Sequence, residues 1–198
     1  MVQAYVAIGS NLDPAARMLQ AARAIRQRFA DARFSRCYRN PAFGFEGPEF
    51  YNAVVGFTTP LPIEALLPAL HEIEALCGRA RSDPKWEPRR MDLDLLLYGD
   101  VVGTGPGYTL PRRDLTRRIY MLGPLAELAA DLLYPPSGPT IGQLWKQFPQ
   151  AGHVLEHAFA DQTEDVRLHD HLVADVVLEI GERVAARRGR VAGAPPGM

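Results

Sequence analysis

The chain has 198 residues, 47% of them hydrophobic and 23% charged, which suits one soluble globular domain with room for an appended element. A formal net charge of −1 excludes a global field that would draw the chain to nucleic acid or to an anionic membrane. No segment approaches the ~20 apolar residues of a membrane span.

The basic residues are local instead, in 79–90 and again at Arg112, Arg113, Arg117 and Arg118, a distribution that fits a small anionic ligand. The first apolar run, residues 4–8, is too short and lacks the basic flank of a signal peptide. Cys37 and Cys77 have no metal-type spacing, so free thiols in a reducing cytoplasm are expected.

Residues 3–8 read as a first strand, stopped by Gly9-Ser10-Asn11. Pro14 fits the first turn of a helix behind Asp13 as cap, and Met18, Leu19, Ala22, Ile25 and Phe29 recur at helical spacing. A second strand is expected over 34–38 and ends at Asn40-Pro41; a Gly/Pro loop then leads to a third over 51–57. Pro62 opens a second helix with Leu66, Leu67, Leu70 and Ile73 on its apolar face, closed by Gly78. After the basic loop comes a strand carrying Asp92 and Asp94. The order β-α-β-β-α-β is that of the ferredoxin-like split unit, an α+β fold with an antiparallel sheet and its helices on one face. Beyond it, 118–130 reads as a helix interrupted at Gly123-Pro124, and Thr140 caps another that ends near Phe148. Leu168, Leu172, Val176, Ile180 and Val184 step by four, an amphipathic helix in a C-terminal extension. Two parts are therefore expected: a domain over 1–148 and an accessory helix with a loose tail over 149–198.

The most informative segment is the run from Arg79 through Trp86 to Asp94. On a strand, side chains alternate faces. Leu93, Leu95 and Leu97 then point to the core, and Asp92 and Asp94 share the other face with Cα atoms roughly 6.5–7 Å apart. Paired carboxylates at this spacing suit Mg²⁺, which is commonly held by one or two carboxylates plus substrate phosphates. Arg79, Arg81, Lys85, Arg89 and Arg90 supply charge to neutralise a polyphosphate. There is no GxxxxGK[ST] loop, so the phosphate grip falls to side chains and metal.

Four ordered segments then act together. They are Ala7-Ile-Gly-Ser-Asn-Leu12; Tyr38-Arg-Asn-Pro-Ala-Phe-Gly44 with Phe50-Tyr-Asn52; the Trp86-to-Asp94 run; and Leu110-Pro-Arg-Arg-Asp114 through Arg118 and Met121. In this order the chain resembles the 6-hydroxymethyl-7,8-dihydropterin pyrophosphokinases of folate biosynthesis over about residues 3–148. The resemblance implies diphosphate transfer from ATP to the hydroxymethyl group of a reduced pterin, with release of AMP, and two Mg²⁺ ions on Asp92 and Asp94. It assigns catalysis to Arg79, Arg89, Asp92 and Asp94. It assigns ATP to Glu74, Arg79, Arg81, Lys85, Trp86, Arg89, Thr109, Arg112, Arg113 and Arg118. It assigns the pterin to Asn40, Pro41, Ala42, Phe43, Phe50, Asn52, Trp86, Asp92 and Tyr120. Loop 81–90 is expected to be mobile until nucleotide orders it. Small-molecule substrates, no nucleic acid, no membrane, and a monomer or a homodimer through the C-terminal helix complete the expectation.

The chain departs from the family pattern at Glu87, at Arg112-Arg113 in place of a His-Tyr pair, at His71, and at Asn40 and Ala42 in the pterin loop. Two alternatives stay open: the same transfer on a different reduced pterin, and a nucleotide-binding module without turnover. A separate pattern, His153-Val-Leu-Glu156-His157, matches the H-x-x-E-H of inverted zinc peptidases. The favoured reading of it is surface histidines at a helix start. Asn11 is read either as a stabiliser of the turn after the first strand or as a ligand contact.

Overall fold

A computed structural model describes residues 1–41, 47–78, 91–149 and 156–157. Along the chain run β1 (Val2–Ser10), α1 (Pro14–Arg28), β2 (Arg33–Phe34), β3 (Tyr38–Asn40), β4 (Phe50–Thr59), α2 (Ile63–Leu76) and β5 (Asp92–Tyr98). They are followed by β6 (Gly103–Gly105), β7 (Tyr108–Leu110), a 3₁₀ turn at Leu115–Arg117, α3 (Ile119–Ala129), α4 (Ile141–Gln147) and β8 (Glu156–His157). The main sheet has the order β5-β1-β4-β3-β8, with β2 also on β4, and every pairing is antiparallel. Taken together as one strand beside β4, β2 and β3 complete the expected ferredoxin-like order. Among the described residues no helix is long and apolar enough to cross a membrane.

The expected second strand is broken in two by Ser35. Its N–H donates to the Val54 carbonyl at 2.8 Å, and its hydroxyl accepts from the Val54 N–H at 2.9 Å. A side chain thus substitutes for one rung of the ladder. Asp13 stands at the N-cap position of α1 with φ 52° and makes no side-chain cap bond; its carbonyl instead accepts from Arg17. Gly78 closes α2 at φ 84°, a conformation that favours glycine. Gly123-Pro124 does not interrupt α3. Both residues are buried against the sheet, and packing sustains the helix through the missing proline N–H. Thr140 and Gln143 form a capping box on α4.

Two apolar cores flank the sheet. On one face α1 and α2 bring Ile25, Phe29, Leu66, Leu70 and Ile73 against Val6, Ile8, Val55, Phe57, Leu93 and Leu95. On the other, α3 and α4 bring Leu122, Leu125 and Ile141 against Ala7, Val54, Leu96 and Leu97. Helices therefore cover both faces, although those of the split unit share one. Leu97 is buried but not beside Leu93 and Leu95. The register slips between Tyr5/Leu97 and Val6/Leu95, so Leu96 is an extra residue and the parity of β5 flips beyond it. Asp92 and Asp94 lie before the bulge and keep the expected face, the one that α3 covers.

The strand β8 pairs with β3, Tyr38 opposite His157 and Arg39 opposite Glu156. This corrects the expected helix start at the H-x-x-E-H pattern. The Glu156 carboxylate is held by Arg39 at 2.7 Å, and the first histidine of the pattern, His153, lies outside the described residues. The pairing also brings two residues from beyond 148 onto the sheet. The stripe over 168–184 lies outside the described residues.

Candidate active site

The site is built where the α3 face of the sheet emerges from beneath its helix. Pairing places Asn52, Gly9 and Asp92 in one row across β4, β1 and β5, and Val54, Ala7 and Asp94 in the next row inward. Strands lie about 4.8 Å apart, so Asn52 and Asp92 stand roughly 10 Å from one another with glycine between them. The glycine leaves the Asn52 amide its place, since a Cβ at Gly9 would lie 3.1 Å from Asn52 Oδ1 and press it aside. Tyr38 pairs with Asn52, and Asn40 with Phe50, on the other side of β4. One sheet surface thus carries two carboxylates at one edge, an open floor, and amides with an aromatic ring at the other.

The amide end is preset. Asn52 Nδ2 donates to Asn40 Oδ1 at 2.6 Å, and both residues are buried. Asn40 in turn donates to the Pro41 carbonyl at 2.9 Å. Asn11 bonds the Pro48 carbonyl at 3.2 Å, thirty-seven residues away, and so ties the turn after β1 to the segment before β4. Phe50 is half-buried at the first position of β4, and Pro41 is exposed.

At the carboxylate end, Arg112 is held by backbone bonds from its N–H to the Leu96 carbonyl at 3.0 Å and from Leu115 N to its own carbonyl at 3.1 Å. Its guanidinium donates from Nη1 to Asp94 Oδ1 at 2.7 Å and from Nε to Asp114 Oδ1 at 3.0 Å. Arg118 lies 3.9 Å from the other Asp114 oxygen. Tyr120, in the first turn of α3, packs against the second core. Burial pushes its hydroxyl above the ordinary tyrosine value; Arg118 and Arg112 oppose the shift, and Asp114 and Asp94 add to it. Four charged side chains and one phenol therefore share a single corner.

Glu74 is buried on α2 behind β5, and its Oε1 accepts from the Leu93 N–H at 2.8 Å. Thr109, on β7, pairs its hydroxyl with that of Thr104 at 3.2 Å. Arg113 is exposed beside Arg112. Arg79, Arg81, Lys85, Trp86, Arg89, Ala42 and Phe43 lie outside the described residues, as does the whole basic loop 79–90. Asp114 was given no role by sequence reasoning, although its spacing to Arg112 and Arg118 was a readable charge pattern.

As a donor set, Asp92 and Asp94 are both partly exposed and on one face. Among the described residues no group of three or more His, Cys, Asp or Glu forms. Two carboxylates completed by water and phosphate suit Mg²⁺, and among the described residues the soft or nitrogen-rich sets of zinc are not assembled.

An α+β sandwich that offers paired carboxylates with arginines at one end of a sheet surface, and amides with an aromatic ring at the other, is suited to a small-molecule transferase. The sequence profile of the 7,8-dihydro-6-hydroxymethylpterin-pyrophosphokinase family matches residues 5–130, and the chain belongs to that family. It is 40% identical over 147 residues to the 2-amino-4-hydroxy-6-hydroxymethyldihydropteridine pyrophosphokinase of Synechocystis sp., covering 73% of this chain and 75% of the relative. It is 36% identical over 152 residues to that of Haemophilus influenzae, covering 75% and 94%. The fold matches a solved HPPK-DHPS chain in complex with substrates at TM-score 0.57 and 10% identity, over 76% of this chain and 44% of that one. Plasmodium falciparum HPPK-DHPS matches at 0.55 and 12%, over 75% and 44%. The chain thus spans under half the length of these solved chains.

Proposed function

We propose that this chain transfers the terminal diphosphate of ATP to the hydroxymethyl oxygen of 6-hydroxymethyl-7,8-dihydropterin. The hydroxyl oxygen bonds to the β-phosphorus and gives up its proton to solvent, the bond from that phosphorus to the α-bridging oxygen breaks, and AMP leaves. The observation that carries this reading is the shared sheet surface of Asp92, Asp94, Asn52 and Asn40 in a chain of this family.

Asp92 and Asp94 would hold Mg²⁺, two ions in the fullest form of the reading. The metal would supply neutralisation of the phosphate charge that grows during transfer. The Asn52 amide, fixed by Asn40, offers the pterin edge a matching donor and acceptor, and Phe50 and Tyr120 offer flat faces. Arg112 and Arg118 carry charge toward the phosphates, joined by the basic loop of Arg79, Arg81, Lys85 and Arg89. Such transfer depends mostly on positioning and electrostatics, so no dedicated base need be assigned.

The test is single-turnover AMP release by Asp92→Ala and Asp94→Ala. Both are expected to retain the wild-type fold and to lose transfer, Asp94→Ala more completely. Near-normal AMP release without either carboxylate would remove the metal assignment.

A further inference from the structure

We propose that Arg112 is a displaceable counter-ion of the metal carboxylate: it occupies Asp94 before a divalent ion arrives and swings on Asp114 when the ion takes its place. The inference rests on reading Asp94 as a metal ligand. Its basis is the geometry of one guanidinium between two carboxylates, 2.7 Å from Asp94 and 3.0 Å from Asp114. The backbone of Arg112 is pinned to β5 through Leu96, so the residue cannot leave the corner and only its side chain can respond. Nε on Asp114 is the pivot, and Nη1 on Asp94 is the arm.

A divalent ion ligated by the same Asp94 oxygen would lie close to a guanidinium in hydrogen-bond contact with that oxygen. The two cations repel, so binding of the ion works against the salt bridge. Side-chain exposure of 32% for Arg112 and 27% for Asp94 leaves part of that repulsion unscreened. Asp114 offers the displaced guanidinium a partner already in contact, which lowers the cost of the swing. The planar five-donor fork of arginine presents separate N–H groups to two carboxylates at once in a fixed geometry. The corner thereby resists the binding of metal alone.

The experiment is a titration of full-length protein with Mn²⁺ alone, free ion read by electron paramagnetic resonance, up to millimolar metal. Arg112→Gln is expected to tighten Mn²⁺ binding on the order of tenfold, the scale of one charge-assisted hydrogen bond. Arg117→Gln removes an equal charge from an exposed position in the adjoining turn and is expected to change affinity by under about twofold, as a surface charge screened by salt. Asp114→Asn should weaken binding in the wild-type background and have little effect on top of Arg112→Gln, which a double-mutant cycle reads directly. Equal affinities for wild type and Arg112→Gln, or no Mn²⁺ binding by Arg112→Gln at all, would overturn the counter-ion. Equal tightening by Arg117→Gln would reduce it to general charge and overturn it too. A separate control protects the diagnosis: if Asp94→Asn leaves Mn²⁺ binding unchanged in the Arg112→Gln background, the metal reading of Asp94 itself has failed.

Discussion

Replacing Glu74 by alanine should destabilise the protein before it disturbs chemistry. The carboxylate is buried behind β5 and accepts from the Leu93 N–H at 2.8 Å. That strand is an edge of the sheet, so Glu74 satisfies a backbone donor that would otherwise face the apolar contact between α2 and β5. Glu74→Ala leaves the N–H buried without its acceptor, a loss of about 1–3 kcal/mol. A methylene is lost as well, adding about 0.8 kcal/mol, while relief of the buried charge acts in the opposite direction. A net loss of about 2 kcal/mol would lower Tm by roughly 4–8 °C in a chain of this size. Glu74→Gln keeps an acceptor oxygen in the same volume and should cost under about 1 kcal/mol. The assay is urea unfolding with the slope held as a check, alongside ATP affinity. An alanine variant that unfolds at the wild-type urea concentration would refute the reasoning. A glutamine variant of normal stability with weakened ATP binding would show instead that the charge reaches the nucleotide directly.

Gly9→Ala would push a methyl to 3.1 Å from Asn52 Oδ1, so the amide must shift by a few tenths of an ångström; the KM for pterin should rise several-fold with the unfolding midpoint little changed, and an unaltered KM would detach Asn52 from pterin recognition. Arg39 and Glu156 are 39% and 52% exposed, so Glu156→Ala should cost under about 1 kcal/mol; a larger loss would mean that β8 holds β3 by more than this ion pair. Burial pushes the Cys37 thiol up to about 12 and the Cys77 thiol up to about 11, so both stay protonated at pH 8 and should resist a disulfide reagent until urea is added. Because these thiols bind protons more tightly when folded, their contribution is complete below pH 9 and is lost as pH rises through 11 to 12; rapid labelling of native protein would contradict their burial.

The ferredoxin-like core was legible because its signals were strong and local. Pro14, Pro62 and Gly78 marked helix ends by fixed backbone preference, and the Asp92/Asp94 alternation survived because it lies before the bulge. What the sequence did not carry was tertiary in origin. Leu96 creates the bulge only through its pairing with β1, so the change of face at Leu97 has no local signature. Ser35 breaks the second strand by bonding a strand it meets nineteen residues later. Gly123-Pro124 carries a genuine local penalty, and burial against the sheet overrides it. Asn11 reads from sequence as a turn stabiliser or a ligand contact, and in the fold its amide donates to the Pro48 carbonyl. In the site, residue types were readable, but partnerships were not. Asp114 holds Arg112 through a turn whose geometry depends on how the segment after β7 docks on β5.

The central claim is the reaction, and its products test it most directly. Full-length protein incubated with ATP, Mg²⁺ and a panel of reduced pterins should yield AMP and diphosphorylated pterin in equal amounts, fastest with 6-hydroxymethyl-7,8-dihydropterin. Product analysis by ³¹P resonance distinguishes one transferred phosphoryl group from two. Release of ADP in place of AMP, or bound ATP that yields no AMP with any reduced pterin, would contradict the account.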